Sequence, residues 1–151
     1  VSRSTLHRYF PDRQALVDAA LIAASTLLER EGQKATIGNE TAAEQLEALM
    51  RASIDVGDAL IFLFADPERF KGNPNWHEGE DEELPTIIRR AQDEGILLAD
   101  VDPAWILGIF YSIIYVAAES INSGHLPRHR AGDVAIRTFL HGFSTAGGSS
   151  S

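Results

Sequence analysis

The sequence predicts an all-α protein, and its periodicity carries that prediction. Apolar residues recur at three- and four-residue steps along most of the chain, which is the spacing of one helix face. The chain lacks sustained apolar–polar alternation, and no Asn-Gly or Asp-Gly turn joins two β-branched runs. Its 151 residues, 44% hydrophobic and 23% charged, suit an ordinary globular protein with one core.

Two helices are predicted at the front of the chain. Ser2 can cap a short helix from Arg3 to about Phe10, which Pro11 stops. Asp12 then caps a longer helix, for which Gly32 is the expected end. Its apolar face comprises Leu16, Val17, Ala20, Leu21, Ala24, Leu27 and Leu28.

The middle of the chain predicts one long helix and then a loop. The helix covers about 41–65, and Gly57 inside it marks a point where it can kink or break. Asp66-Pro67 ends it. The segment 70–79 is rich in Gly, Pro and Asn, which predicts a loop with room for a short helix.

Three more helices complete the prediction. The acidic run Glu80–Glu83 suits the start of a helix, which Gly95 closes. Asp102-Pro103 is a cap and first-turn pair for a helix to about Asn122. The last helix covers about 131–143, and the Gly- and Ser-rich end, 147–151, is expected to be a disordered tail.

The last two helices predict a homodimer. The segment 103–118 is apolar nearly all round, so it must be covered on several sides, and in a domain this small one cover is a second subunit. Pairing of both helices with their symmetry mates would form a four-helix bundle. Core packing within one chain is the alternative. The predicted interface residues are Ile106, Ile109, Ile113, Ile136, Phe139, Leu140 and Phe143.

Charge and composition indicate which classes of binding partner and which cellular compartment to expect. The net charge is −9, yet residues 1–14 hold three arginines against one aspartate, which suits contact with phosphate at one end only. The absence of cysteine excludes disulfides and thiolate metal sites and is compatible with the cytoplasm, where we expect the protein. The longest uncharged apolar run, 103–118, is shorter than the ~18 residues of a membrane span, so no membrane partner is expected.

The first sixteen residues carry the most specific pattern in the chain. It resembles the recognition helix and following turn of TetR-type transcriptional regulators. Their pattern runs Val-Ser, two variable residues, Thr, an aliphatic residue, Tyr, a variable residue, Tyr or His, and Phe, and then a two-residue turn, a basic residue, an acidic or polar residue and Leu. His7 departs from that pattern, since Tyr is usual there, and Gln14 replaces the commoner Glu. The matching residues are Val1, Ser2, Thr5, Leu6, Tyr9, Phe10, Arg13 and Leu16.

The resemblance implies a DNA-reading end and a ligand-binding body. Residues 1–14 would be the remnant of a helix-turn-helix whose earlier helices this sequence lacks, and residues 15–146 the effector-binding and dimerisation domain. A palindromic double-stranded operator is the implied DNA partner of the intact protein. Candidates for base edges are Arg3, Ser4, Thr5, His7 and Arg8, and those for phosphates are Tyr9 and Arg13.

The resemblance also implies a small-molecule effector. Binding of this effector would release the protein, a repressor, from its DNA. A pocket is expected among 46–64, 84–98 and 105–115, and the concentration of rings there predicts an apolar or aromatic effector. Asp55 and Asp58 leave room for a cationic group, although a solvent-facing position is the alternative. Packing in the core is the alternative for each apolar candidate. The candidates are Met50, Ile54, Asp58, Phe62, Trp76, Ile88, Trp105, Phe110, Tyr111 and Tyr115.

Two other function classes stay open at the level of sequence. One is a helical-bundle small-molecule-binding protein or enzyme without DNA binding, and the other is a pure dimerisation module. The nucleophile elbow, the phosphate loop and the HExxH motif are all missing, so we expect no enzyme. His77 beside Glu78–Glu83 lacks metal-ligand spacing, as do His125, His129 and His141, so we expect neither a metal nor a cofactor.

Overall fold

A computed structural model describes residues 12–76 and 83–145. Every regular element in these two ranges is a helix, which confirms the all-α prediction. The predicted front helix over 3–10 and the acidic run at 80–82 lie outside the described residues.

Six α-helices and one 3-10 helix follow one another in the described ranges. They are α1 Arg13–Thr36, α2 Ala42–Asp55, α3 Gly57–Phe64, the 3-10 helix Pro67–Phe70, α4 Glu83–Asp93, α5 Pro103–Asn122 and α6 Arg128–His141.

Local side-chain chemistry explains where three of the helices begin. The Asp12 carboxylate accepts a hydrogen bond from the backbone N–H of Ala15 at 2.6 Å, and Asp102 accepts one from Ala104 at 2.9 Å. Thr41 and Glu44 form a reciprocal capping box at the start of α2. Each cap satisfies backbone N–H groups that the first turn of a helix leaves without a partner. The sequence predictions at Asp12 and Asp102 are thereby confirmed.

Two helices differ in range from the sequence prediction: α6 covers Arg128–His141 and not about 131–143, and α1 is longer than expected. Gly32 does not end α1, which continues to Thr36. A Cβ at Gly32 would lie 3.8 Å from Leu49 of α2, so this part of α1 packs on another helix. Packing of that kind outweighs the cost of about 1 kcal/mol for glycine in a helix. The break that the sequence allowed at Gly57 is present: the predicted helix 41–65 is two helices, separated at Val56.

Helix α2 lies at the centre of the molecule. It packs against all five other helices and supplies Leu46, Met50 and Ile54 to the main core. Helices α4, α5 and α6 complete that core with Ile88, Phe110, Ile114 and Ala131, each almost without exposed surface. The body is therefore a bundle built around α2, and α1 packs chiefly against α2 and α3.

A second, smaller cluster joins α1 to the rest of the chain. Its buried members are Leu21 and Ala24 of α1, Leu63 of α3 and Phe70 of the 3-10 helix, and we call it the junction cluster. Leu28 of α1 packs against both this cluster and the main core. A movement of α3 or of the 3-10 helix relative to α2 therefore displaces the part of α1 that packs in the junction cluster.

Helix α5 has one buried face and one exposed apolar face. Its buried residues include Ile106, Phe110 and Ile114, while Trp105, Ile109 and Val116 are exposed on the other side. With 20 residues, it is long and apolar enough to cross a bilayer, a test that core helices of globular proteins also pass. Its contacts with α2, α3, α4 and α6 place one of its faces in the core of the bundle.

Candidate functional site

Of the predicted DNA contacts, the structure describes Arg13. It is the first residue of α1, and its side chain is exposed. Since α1 runs unbroken from Arg13 to the junction cluster, the predicted phosphate contact and the body share one rigid element. The predicted contacts Arg3, Ser4, Thr5, His7, Arg8 and Tyr9 lie outside the described residues.

Three aromatic side chains from three different elements meet beside α3, and we call them the ring site. Phe64 stacks on Tyr111 of α5, with ring centres 5.6 Å apart and planes 25° apart. Trp76 stands edge-on to Phe64 at 6.0 Å. Phe64 is 42% exposed, and the other two are half-buried. The ring site therefore offers stacking surface to a planar apolar molecule from solvent.

A neighbouring pair of rings is covered by a cation of the chain itself. The guanidinium carbon of Arg69 lies 4.4 Å from the ring centre of Phe62 and 4.6 Å from that of Phe70. Phe70 in turn lies 5.2 Å from Trp76, so this pair adjoins the ring site. Phe62, a predicted effector contact, thus has Arg69 against one of its faces.

Four of the predicted effector contacts are packed in the main core. Met50, Ile54, Ile88 and Phe110 are each at most 3% exposed, so a ligand would reach them only if the helices moved apart. The groove between α2 and α6 that Met50 and Phe139 line holds no space that a water molecule could occupy. Small-molecule pockets usually exceed ~300 Å³, so this groove is closed to a ligand in the present conformation. The predicted pocket among these residues stays a prediction for a more open conformation.

The predicted polar contact Asp58 lies in a shallow surface groove of about 20 Å³, between α3, the end of α5 and the start of α6. Asp58 is exposed and accepts a hydrogen bond from the Asn122 amide at 3.2 Å, and Asp55 and Arg128 also line the groove. Both aspartates face solvent, which was the alternative to a pocket position. Trp105 is 67% exposed at the start of α5, and Tyr115 is half-buried.

Comparison with known proteins identifies relatives along nearly the whole chain. The transcriptional repressor LfrR of Mycolicibacterium smegmatis is 24% identical over 148 residues, which are 96% of this chain and 76% of that protein. The regulator NfxB of Pseudomonas aeruginosa is 24% identical over 151 residues, covering 95% of this chain and 79% of that protein. Both are described as HTH-type. No protein-family model matches the chain.

Solved structures give the fold. The crystal structure of the TetR-like regulator LfrR in complex with proflavine superposes with a TM-score of 0.76 at 22% identity, covering 96% of this chain and 80% of that one. LfrR crystallised alone gives 0.63 at 21% identity, with 96% and 81% covered. The chain therefore has the fold of the TetR-like regulator LfrR and is similar in sequence to LfrR and NfxB. The resemblance in the first sixteen residues therefore extends over the helical body.

In this TetR-like fold, the predicted interface residues separate into two groups. Ile106 and Ile136 are only 8% exposed and belong to the chain's own core, where Phe139 and Leu140 also pack. Ile109, half-buried Ile113 and the protruding Phe143 remain available to a partner. The exposed side of α6 is polar, with Arg130, Asp133, Arg137 and His141.

Sequence reasoning missed residues of the ring site and of the exposed apolar face of α5. Phe64 was not singled out although it is the most exposed ring of the ring site, because a single apolar run such as 59–65 does not show which ring faces out. Trp105 and Val116 lie beside Ile109 on the exposed face of α5. The spacing of Ile109 and Val116, seven residues or two turns, is the signal that could have identified Val116.

Two exposed carboxylates have lowered pKa values, and both serve the scaffold. The Arg51 guanidinium donates a 2.6 Å hydrogen bond to Asp133, which holds the pKa of that carboxyl below its usual range and ties α2 to α6. Backbone hydrogen bonds from Thr41 and Glu40 lower the pKa of Glu44 in the capping box. Within 12–76 and 83–145, no group of three His, Asp or Glu side chains is arranged to hold a metal ion.

Proposed function

We propose that this protein is a ligand-responsive, DNA-binding transcriptional repressor that acts in the cytoplasm as a homodimer. The observation that carries the proposal is its similarity, over 95% or more of the chain, to two HTH-type regulators, one of them crystallised with proflavine. The arginine-rich front and the exposed Arg13 at the start of α1 supply a phosphate-binding end to an otherwise acidic chain.

The effector class we propose is a planar aromatic molecule, preferably cationic. Stacking on Phe64 and Tyr111 favours planarity, and Trp76 provides an edge contact. The faces of such rings attract cations, and the net charge of −9 raises the local concentration of cations. Proflavine, a planar aromatic cation, is therefore the first probe to use.

Binding at the ring site would act on DNA through α1. Phe64 ends α3, whose Leu63 lies in the junction cluster with Leu21 and Ala24 of α1. A displacement of α3 therefore tilts α1 and with it the reading end. Two recognition helices of a dimer enter successive major grooves only when they lie ~34–36 Å apart, so a tilt lowers affinity for a palindrome.

The dimer we propose uses the outward face of α5. Trp105, Ile109 and Val116 follow one another at helical spacing, and their exposure of 67%, 37% and 60% is high for such large apolar side chains. Gly108 on the same helix has no atom within 4 Å of the place where a Cβ would stand, so a second helix can approach closely there. A stable interface would bury more than ~1,200 Å² in total.

The effector assignment is tested by equilibrium titration of proflavine with the wild type, Phe64→Ala and Phe143→Ala. We expect Phe64→Ala to weaken binding by about two- to twelvefold, since stacking between rings contributes about 0.5–1.5 kcal/mol beyond area burial. Phe143→Ala removes a ring that is 89% exposed and is not part of the ring site, so it should bind like the wild type. Equal affinities of all three proteins would contradict the assignment.

A helical carrier without DNA binding is the second candidate function, favoured by the exposed ring site alone. It predicts proflavine binding without any salt-sensitive, sequence-specific DNA binding by the full-length protein. Selection of binding sites from a random duplex library separates the two, because a repressor of this fold should enrich a palindrome.

A further inference from the structure

Asn73 organises the loop between the 3-10 helix and the ring site. Its backbone N–H donates to the carbonyl of Phe70 at 2.9 Å, and its carbonyl accepts from the N–H of Trp76 at 3.0 Å. Its side-chain oxygen accepts from the N–H of Asn75 at 2.9 Å. The backbone of Trp76 is thereby fixed to Asn73, so a displacement of the Trp76 backbone moves Asn73 as well.

The same side chain reaches across to α1. The Asn73 amide donates a hydrogen bond of 2.6 Å to a carboxylate oxygen of Asp18, 55 residues away in sequence. Gln14, one turn earlier on α1, donates to the same oxygen at 2.9 Å. Asp18 lies in the half of α1 that begins at the exposed Arg13. Asn73 therefore has backbone contacts toward the ring site and a side-chain contact toward the reading end.

We propose that the hydrogen bond from Asn73 to Asp18 is the link that transmits occupancy of the ring site to α1, with Asn73 as its positioning residue. This inference rests on the proposed function of ligand response. A bond to a carboxylate is short, directional and stronger than one between neutral groups, so it depends on the register of the loop along α1. The hydrogen bond couples the ring site to α1 only while Asn73 and Asp18 keep this geometry.

The junction cluster makes a second connection, of a different kind. Phe70 packs there with Leu21 and Ala24 through apolar contacts, which have no preferred direction and allow small sliding movements. The hydrogen bond at Asp18 lies about one turn before Leu21 and restricts that sliding. When the hydrogen bond is lost, α1 should therefore stay attached to the junction cluster, but it should respond less to movements of the loop.

The test is amide hydrogen exchange of α1 in the whole chain, with and without saturating proflavine. In the wild type, proflavine should change the protection of amides in the first half of α1. Asn73→Asp keeps the oxygen that accepts from Asn75 but replaces the donor to Asp18 with a second carboxylate. We expect it to reduce the proflavine-induced change by about two- to tenfold, the range for one lost hydrogen bond, while proflavine affinity stays within about twofold.

Two further variants separate transmission from simple loosening of the fold. Combining Asn73→Asp with Asp18→Asn restores a donor and an acceptor in the reverse direction and should recover the proflavine response. Gln14→Ala removes the other bond to the same carboxylate, within α1 alone, and should leave the response intact. A response of wild-type size in Asn73→Asp, or an equal loss in Gln14→Ala, would overturn the inference.

The same hydrogen-exchange experiment can be done without ligand, so that its result does not depend on the effector class. Trp76→Ala disturbs the ring site directly, and it should alter protection of the first half of α1 in the wild-type background. In the Asn73→Asp background the same change should have an effect about two- to tenfold smaller. Failure of proflavine to bind would count against the proposed function alone, whereas additive effects of Trp76→Ala and Asn73→Asp would count against the link.

Discussion

Helices α3 and α5 approach each other closely at Gly57, and this contact makes a sharp prediction for stability. A Cβ added at Gly57 would lie 2.7 Å from the Cβ of Ala118 on α5, a distance that real Cβ contacts essentially never show. Neither side has a flexible side chain that can move away, so α3 and α5 must separate by several tenths of an ångström. Gly57 has an ordinary negative φ, so alanine meets no backbone penalty there.

We therefore expect Gly57→Ala to destabilise the fold by about 1–3 kcal/mol, the usual cost of inserting a methyl group into a packed core. For a protein of this size, that corresponds to a fall in Tm of roughly 2–12 °C. The assay is urea unfolding followed by circular dichroism at fixed protein concentration. A fixed concentration is needed because dimerisation adds to the apparent stability.

The matched control is Gly32→Ala on α1. Its new Cβ would lie 3.8 Å from Leu49, an ordinary contact, so it should stabilise the fold by up to about 1 kcal/mol. Adding Ala118→Gly to Gly57→Ala removes the opposing methyl group and should recover part of the loss. An unchanged unfolding midpoint for Gly57→Ala, or purely additive effects in the double variant, would refute the packing argument.

Three further predictions concern α6, α5 and α1. The lowered pKa of Asp133 means that its bond to Arg51 stabilises the fold above about pH 4 and is lost as the pH falls through the lowered pKa. Asp133→Asn should therefore lower the unfolding midpoint at pH 7 and match the wild type near pH 2; an equal difference at both would contradict the assignment. Ile109→Glu on α5 should give a monomer by light scattering at micromolar concentration, whereas the same change at exposed Gln33 should not. In the full-length protein, Arg13→Ala should weaken binding to all DNA sequences alike and reduce the salt slope by about 1, and unchanged affinities would contradict a phosphate contact.

The sequence predicted which segments are helical and where several helices begin, because these features depend on neighbouring residues. The caps at Asp12 and Asp102 and the turn at Gly95, where φ is +74°, involve residues within one or two turns of each other. The end of α1 was not predictable, because contact with Leu49 on another helix keeps Gly32 helical.

The candidate site was less predictable, since it depends on which face of each helix other helices cover. Ring size and apolar composition selected Tyr111, Trp76, Phe110 and Ile88 as pocket candidates alike, but they could not show that the last two are packed in the core while the first two are half-buried. The bond between Asn73 and Asp18 joins residues 55 positions apart and follows no local pattern. Contacts of that kind follow from the tertiary fold alone.

Competition between ligand and DNA tests the central claim most directly. The full-length protein is bound to a palindromic duplex selected from a random library, and proflavine is titrated while DNA affinity is measured at constant salt. We predict that saturating proflavine weakens DNA binding by about 5- to 150-fold, and that saturating DNA weakens proflavine binding by the same factor. Proflavine that binds the protein at the ring site yet leaves DNA affinity unchanged at saturation would contradict a ligand-responsive repressor.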